Sequence, residues 1–308
     1  MTVHVLFENP DWMPPVRRAF GDRGIPLVEH FVEGGAFDVQ APPPEGIWLN
    51  RMSPSAHTRG HADGVAYVRE WLSVLEAAGR RVINGSAAFA LEVSKVRQHA
   101  ALEAMGIRTP RTIAVVGRAG LRDAARRMEL PFITKHNQGG KGLGVQLFRD
   151  LDAFDAYVES ERFEPATDGV TLLQQYVQPR DGAITRVEIV DGRFLYAIRA
   201  ATDAGFQLCP ADACEADSAF CPVGGTGRFS RRELSPDDPL VRAYVAFCER
   251  HAIDVAGIEY VEDEAGERWT YDVNMNTNYN GEVEAAHGLD GMAAIAALCE
   301  RLLGRAAA

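Results

Sequence analysis

The stretch 269–280, WTYDVNMNTNYN, is the tightest constraint on what this chain can fold into. Trp269, Tyr271 and Val273 favour extended backbone, and side chains two apart on a strand share a face, so Asp272 and Asn274 point the same way. A carboxylate on the inward face of an otherwise apolar strand is costly unless something compensates it. Earlier in the chain, the run 257–261 (GIEYV) offers a second strand with an acid of its own, and EDEAGE at 262–267 is a polar, glycine-containing turn. A hairpin closed about Ala265 and Gly266 sets Glu259 opposite Asp272. Two facing carboxylates repel unless a cation lies between them. Glu, Asp and Asn oxygens together suit a hard divalent ion such as Mg²⁺, with nucleotide phosphates in its remaining positions.

With 308 residues, 46% hydrophobic and 24% charged, the chain has material for two or three compact domains of ordinary composition. A net charge of −11 argues against nucleic acid or an anionic membrane as partner. The opening MTVHVLFENPDW has no basic or apolar leader region, and no run approaches the ~20 apolar residues of a membrane span. The expected compartment is the cytoplasm. The five cysteines form no CxxC and read as free thiols; spacing disfavours zinc at Cys209, Cys214 and Cys221.

Residues 1–85 alternate between short apolar runs and helical patterns, which implies a small open parallel sheet. Ligands bind such sheets at the C-terminal ends of their strands. Arg51, with Ser53 or Ser55, follows the third apolar run and is placed to clamp a substrate carboxylate. A solvated loop is the plain alternative. His57 and His61 are four apart, but Pro54 and Gly60 argue against a helical metal pair. Ser86 opens a helix expected to run to about Met105, with Lys95 inside it. Strands are expected at 109–116, 130–135, 145–148 and 172–177.

Between two of these strands lie Gly139, Gly140, Lys141, Gly142 and Gly144, a mobile flap whose N–H groups can close on phosphates. No GKS or GKT ending and no following helix are present, so it is neither a Walker loop nor a dinucleotide fingerprint. Lys135, ending the preceding strand, can neutralise phosphate charge. Gln174 and Gln175, followed by Tyr176 and Val177, suit the edge of an adenine. Arg186 and Arg199 flank the hairpin turn at 190–192. Residues 202–236 read as irregular, with 224–228 facing the site; helices follow from Ser235 to His251 and over 289–303.

This order of motifs resembles the ATP-grasp superfamily, most of all its carboxylate–amine ligase branch, where the ribosomal-protein glutamate ligases belong. The resemblance implies an α/β (α+β) fold: a small parallel α/β domain (1–92), then two α+β lobes that clamp ATP (93–178 and 179–308). It implies ATP contacts from Lys95, Lys135, the flap and 174–177, and transfer chemistry at Arg186 and Arg199. Metal ligands would be Glu259, Asp272 and Asn274, for two Mg²⁺ or for Mn²⁺. Relative to the family pattern, Gln175 stands for a Glu, Thr185 for an acid, and the two metal carboxylates are exchanged, Glu for Asp and Asp for Glu. Arg228, Asn276 and Asn278 join Arg51, Ser53 and Ser55 as substrate contacts, since 275–280 departs from the family's continuation. The implied activity is amide formation through an acyl phosphate, on an amino acid or small peptide such as glutamate, by an enzyme that can be a homo-oligomer. The alternatives are an ATP-grasp small-molecule kinase and a non-catalytic nucleotide-binding module.

Overall fold

β1 (Val3–Phe7) is buried along its whole length, because its sheet is covered on both faces. The computed structural model describes residues 2–140, 142, 144–202 and 229–306. After β1 come α1 (Met13–Gly21), β2 (Leu27–Phe31), β3 (Ile47–Arg51), α2 (Ala62–Ala77) and β4 (Arg81–Ile83). The four strands form a parallel sheet in the order β2-β1-β3-β4. Strand parity sorts the side chains. Val3, Val5, Ile47 and Leu49 pack towards α1, while Leu6 and Trp48 pack on Val65, Val68 and Leu72 of α2.

α3 (Ser86–Glu92) and α4 (Lys95–Glu103) are two helices where the sequence pattern predicts one. The break is built. Ser94 caps α4 through the Arg97 amide, and Asn137 Oδ1 accepts from the Val96 amide at 2.9 Å. Lys95 is therefore the first residue of a helix, not an interior one. β5 (Thr112–Val116), α5 (Leu121–Ala125), β6 (Phe132–His136), β7 (Gln146–Phe148), α6 (Leu151–Glu159) and β8 (Val170–Gln175) follow. Their antiparallel sheet has the order β5-β8-β6-β7. Phe132, Phe148 and Leu173 pack on α5 and α6, which leaves the other face open. β8 stops at Gln175, so Tyr176 and Val177 lie beyond it rather than within it.

The remaining elements are β9 (Ala183–Val190), β10 (Arg193–Ala201), β11 (Phe229–Arg232), α7 (Pro239–Arg250), β12 (Val255–Glu262), β13 (Arg268–Asn274), α8 (Gly281–His287) and α9 (Gly291–Ala306). The antiparallel sheet order is β11-β10-β9-β12-β13. One face carries Val187, Ile189, Ile258, Tyr260 and Val273 under Val241, Tyr244 and Phe247 of α7. α9 sets Met292, Ile295 and Cys299 against Val190, Val255 and the parallel sheet. Three expectations change. Residues 229–232 form an edge strand, because they complete the β10 ladder. α7 starts at Pro239, where the Asp238 side chain caps the Leu240 amide. α8 was not foreseen. Cys209, Cys214, Cys221 and the segment 224–228 lie outside the described residues. Among the described residues, no helix is long and apolar enough to cross a membrane.

Asn84 joins the first sheet to the last. Its φ of 53° is left-handed, which asparagine tolerates better than most residues. The side chain accepts from the Asp254 and Val255 amides and donates to the Val255 and Met275 carbonyls, at 2.8–3.1 Å. We expect Asn84→Ala to cost about 4 kcal/mol, from lost hydrogen bonds and backbone strain. A urea midpoint unchanged from wild type would show that this joint carries no stability.

Candidate active site

A cleft of about 460 Å³ lies between the two antiparallel sheets and reaches the C-terminal ends of the parallel strands at Ser53 and Ser55. Its walls follow from period two. In β6, Ile133 and Lys135 share the open face; in β9, Ile184 and Arg186; in β12, Val261 and Glu259. Ile133 pairs with Leu147, and Ile184 with Val261. One part of the cleft is thus an apolar slot between two sheets, and two residues further along each strand the wall turns charged. Sequence reasoning missed this slot. The signal was an aliphatic residue two before Lys135, two before Arg186 and two after Glu259.

The hairpin register sets Glu259 opposite both Asp272 and Arg186, as the turn at 265–266 predicts for the first pair. Asn274 donates to Glu259 Oε1 at 3.3 Å. Arg186 donates to Glu188 Oε1 at 2.7 Å, to Glu259 Oε1 at 3.3 Å and to Thr277 Oγ1. Space for the guanidinium exists only because residue 257 is glycine; a Cβ there would overlap it. Lys95 Nζ lies 2.9 Å from Asp272 Oδ1 and 3.1 Å from the Gly139 carbonyl. Lys135 Nζ donates to the Tyr271 carbonyl at 3.2 Å.

These charges tune one another. Burial alone would raise Asp272, but Lys95 and Lys135 outweigh it and hold the carboxyl at about 2. Burial pushes Glu259 up to about 7 and the Asp272 carboxylate adds to the rise, against the opposing pull of Arg186. Burial brings Lys135 down to about 8 and, with Lys135 nearby, His99 down to about 4. Glu92, at the end of α3, is also raised to about 7 by burial. Its part in the cleft was not foreseen either, although it stands three residues before Lys95.

The structure separates the other expected residues. Gly139, Gly140 and Gly142 line the cleft. Gly144, at a φ of 67°, turns against the His136 ring, where a Cβ would overlap the imidazole. Lys141 and Arg228 lie outside the described residues. Gln174 and Gln175 reach the cleft, but their amides have internal partners: Gln174 bonds Thr112 Oγ1 at 3.1 Å, and Gln175 accepts from the Arg111 amide at 3.1 Å. Tyr176 and Val177 line the cleft beyond them. Arg199 does not join Arg186. It pairs with Thr185 across the ladder, so parity turns it to the opposite face, where it meets Asp181. Arg51 is buried and touches the cleft through Asn278, whose Oδ1 accepts from its Nη2 at 2.7 Å. No carboxylate is within ion-pair distance of Arg51 among the described residues, and its Nε has no partner. His61 is occupied with Glu8 at 3.1 Å, not with His57.

Among the described residues, no three His, Cys, Asp or Glu side chains form a cage for a metal. Two carboxylates and an amide facing an open cleft fit Mg²⁺ instead, which takes one or two carboxylates and leaves its other positions to phosphates and water. The depressed Asp272 and the strained Glu259 are a donor set that an added cation would relieve.

No family model matches the chain. A probable alpha-L-glutamate ligase of Xanthomonas euvesicatoria is 26% identical over 243 residues, 78% of this chain and 76% of that protein. A RimK domain ATP-grasp protein of Sphaerobacter thermophilus superposes with a TM-score of 0.68 at 20% identity, covering 96% of this chain and 98% of the other. The chain has the ATP-grasp fold. A structure of the ATP-grasp ligase PsnB with its minimal precursor, Mg and ADP gives a TM-score of 0.61 at 17% identity, covering 98% and 96%. The sequence likeness is to the carboxylate–amine ligases that share this fold.

Gly257→Ala should force the Arg186 guanidinium off Glu188 and Glu259. Breaking a buried ion pair costs about 3 kcal/mol or more. Chemical denaturation measures it, and a stability equal to wild type would mean that the guanidinium relocates freely.

Proposed function

We propose that this chain is an ATP-dependent carboxylate–amine ligase that forms an amide bond through an acyl phosphate. The observation that carries the reading is the register that sets Glu259 against both Asp272 and Arg186, with Lys95 arriving from the start of α4 and Lys135 from the other sheet. The apolar slot between Ile133, Leu147, Ile184 and Val261 suits a planar base, bounded by the backbone at 176–177. Lys95 and Lys135 then lie where a triphosphate would run. Phosphoryl transfer needs charge neutralisation and alignment rather than covalent help. Glu259, Asp272 and Asn274 would hold Mg²⁺, which supplies positive charge to the phosphates. Arg186 steadies charge that develops on the transferring group. The glycines at 139–142 cover the cleft against water, which would hydrolyse an acyl phosphate.

Arg51 is our candidate for holding a carboxylate that does not react. A buried guanidinium without an acid is an anion site awaiting its anion, and Asn278 Oδ1 occupies the place of one carboxylate oxygen. An amino acid or small peptide is the substrate class this favours, and the name of the Xanthomonas relative makes glutamate the first to try.

Three experiments test the reading. Hydroxylamine added with Mg·ATP and amino acids should trap a hydroxamate with stoichiometric phosphate release; a stable phosphorylated product would mean a kinase instead. Asp272→Asn should lower turnover by at least about 100-fold with the fold intact, since it removes the negative charge that faces the cation and two lysines. Full ligase activity in that variant would remove the metal assignment. Arg51→Met should raise KM for the carboxylate-bearing substrate by about tenfold or more, the worth of a charge-assisted hydrogen bond, and leave KM for ATP unchanged. Equal shifts in both would count against a carboxylate site.

A further inference from the structure

Glu92 is a buried carboxylate in an unusual position. It closes α3, where the helix dipole disfavours negative charge. It is 5% exposed and lines the cleft, yet no cation lies within ion-pair distance of it among the described residues. Lys95, one turn along, is directed to Asp272 and the Gly139 carbonyl. Glu92 Oε2 accepts from the Met275 amide at 2.6 Å. The charged groups that act on it are Lys95 from α4 and Asp272 from β13. The other side chains packed about it, Asn50, Asn84, Phe89 and Met275, are uncharged.

Asn276 stands beside it on the cleft wall. Its Nδ2 donates to the Arg51 carbonyl at 2.9 Å, and its Oδ1 is buried with no partner among the described residues. Both residues line the cleft and offer it acceptors: the backbone amides at 275 and 276 act on the Glu92 carboxylate, and none of the described residues donates to Asn276 Oδ1. Two converging acceptors, one of them a carboxylate, are the complement of an ammonium group. Asn274, Asn276 and Asn278 alternate along one side of the segment, so this acceptor pair lies between the carboxylate hairpin and Arg51.

We propose that Glu92 and Asn276 form the amine subsite, with Glu92 as the general base that deprotonates the incoming ammonium. The inference rests on the ligase reading. An ammonium has no lone pair, so it must lose a proton before it can attack. Glu92 takes that proton. The nitrogen lone pair then forms the bond to the acyl carbon, the carbon–oxygen bond to phosphate breaks, and the departing phosphate carries off the second nitrogen proton. Glu92 returns its proton to solvent. A carboxyl that burial already disfavours as an anion is suited to accept a proton near neutrality.

The competing account is that Glu92 only anchors residues 275 and 276. Glu92→Gln separates the two, because its amide oxygen still accepts from Met275. Wild type and variant are incubated with Mg·ATP and each of the twenty amino acids, with either hydroxylamine or the same amino acids as the amine. Hydroxylamine is uncharged at neutral pH and needs no base. The variant should give hydroxamate at a rate within about twofold of wild type. Its amide formation near neutral pH should fall by about 100-fold. The gap should close as pH rises and the amine deprotonates unaided, and melting with and without Mg·ATP should match wild type. Amide formation at the wild-type rate would overturn the role of Glu92 and leave the ligase reading standing. Loss of hydroxamate and amide together would assign Glu92 to anchoring. If wild type makes no hydroxamate with any amino acid, the ligase reading falls and this inference with it.

Discussion

Everything in the cleft depends on a row of charges laid across β9, β12 and β13. Arg186, Glu259 and Asp272 are neighbours because of ladder register alone. A slip of one residue would turn each to the α7 side of the sheet. What pins the register is apolar: Val187, Ile258 and Val273 fit beneath Tyr244 and Phe247. The core on one face of the sheet thus sets the chemistry on the other. Buried charges do little for stability, and hydrophobic residues of similar volume often serve as well. Their presence here follows from what the cleft has to bind.

The row is completed from elsewhere in the chain. Lys95 and Lys135 balance Asp272, and Lys95 is fixed because the backbone breaks at 93–94 and restarts against Asn137. Asparagines make the comparable joint at 84 and line the track at 274–278. Asn84 and Asn137 each span two elements with a donor and an acceptor, which a carboxylate or a lysine cannot do alone.

The sequence made the parts with strong local pattern legible. Asp272, Asn274 and Glu259 announced themselves because acids are rare on apolar strands, and the turn at 265–266 fixed their pairing. The glycine flap and Lys135 were visible for similar reasons. Three things were not. The break before Lys95 is fixed by Asn137, which lies far along the chain and reads as an ordinary loop residue. The two faces of β9 and β10 cannot be told apart by composition, so Arg199 looked equivalent to Arg186 until the ladder separated them. Glu92 carries no motif; only its burial without a cation marks it.

A strict alternation along WTYDVN would bury Trp269 and Tyr271 with Val273. The ladder instead skips a residue: Glu259 faces Asp272, while Tyr260 faces Thr270. Tyr271 is the extra residue, and with Trp269 it turns to the cleft side, while Thr270 takes a place in the core against Tyr244. The bulge works as a phase shift. Residues before it keep time with the packing under α7, and residues after it keep time with the carboxylates. Deleting one residue here would leave a more regular strand and lose that change of phase, so the hairpin's length is constrained as strictly as its charged side chains.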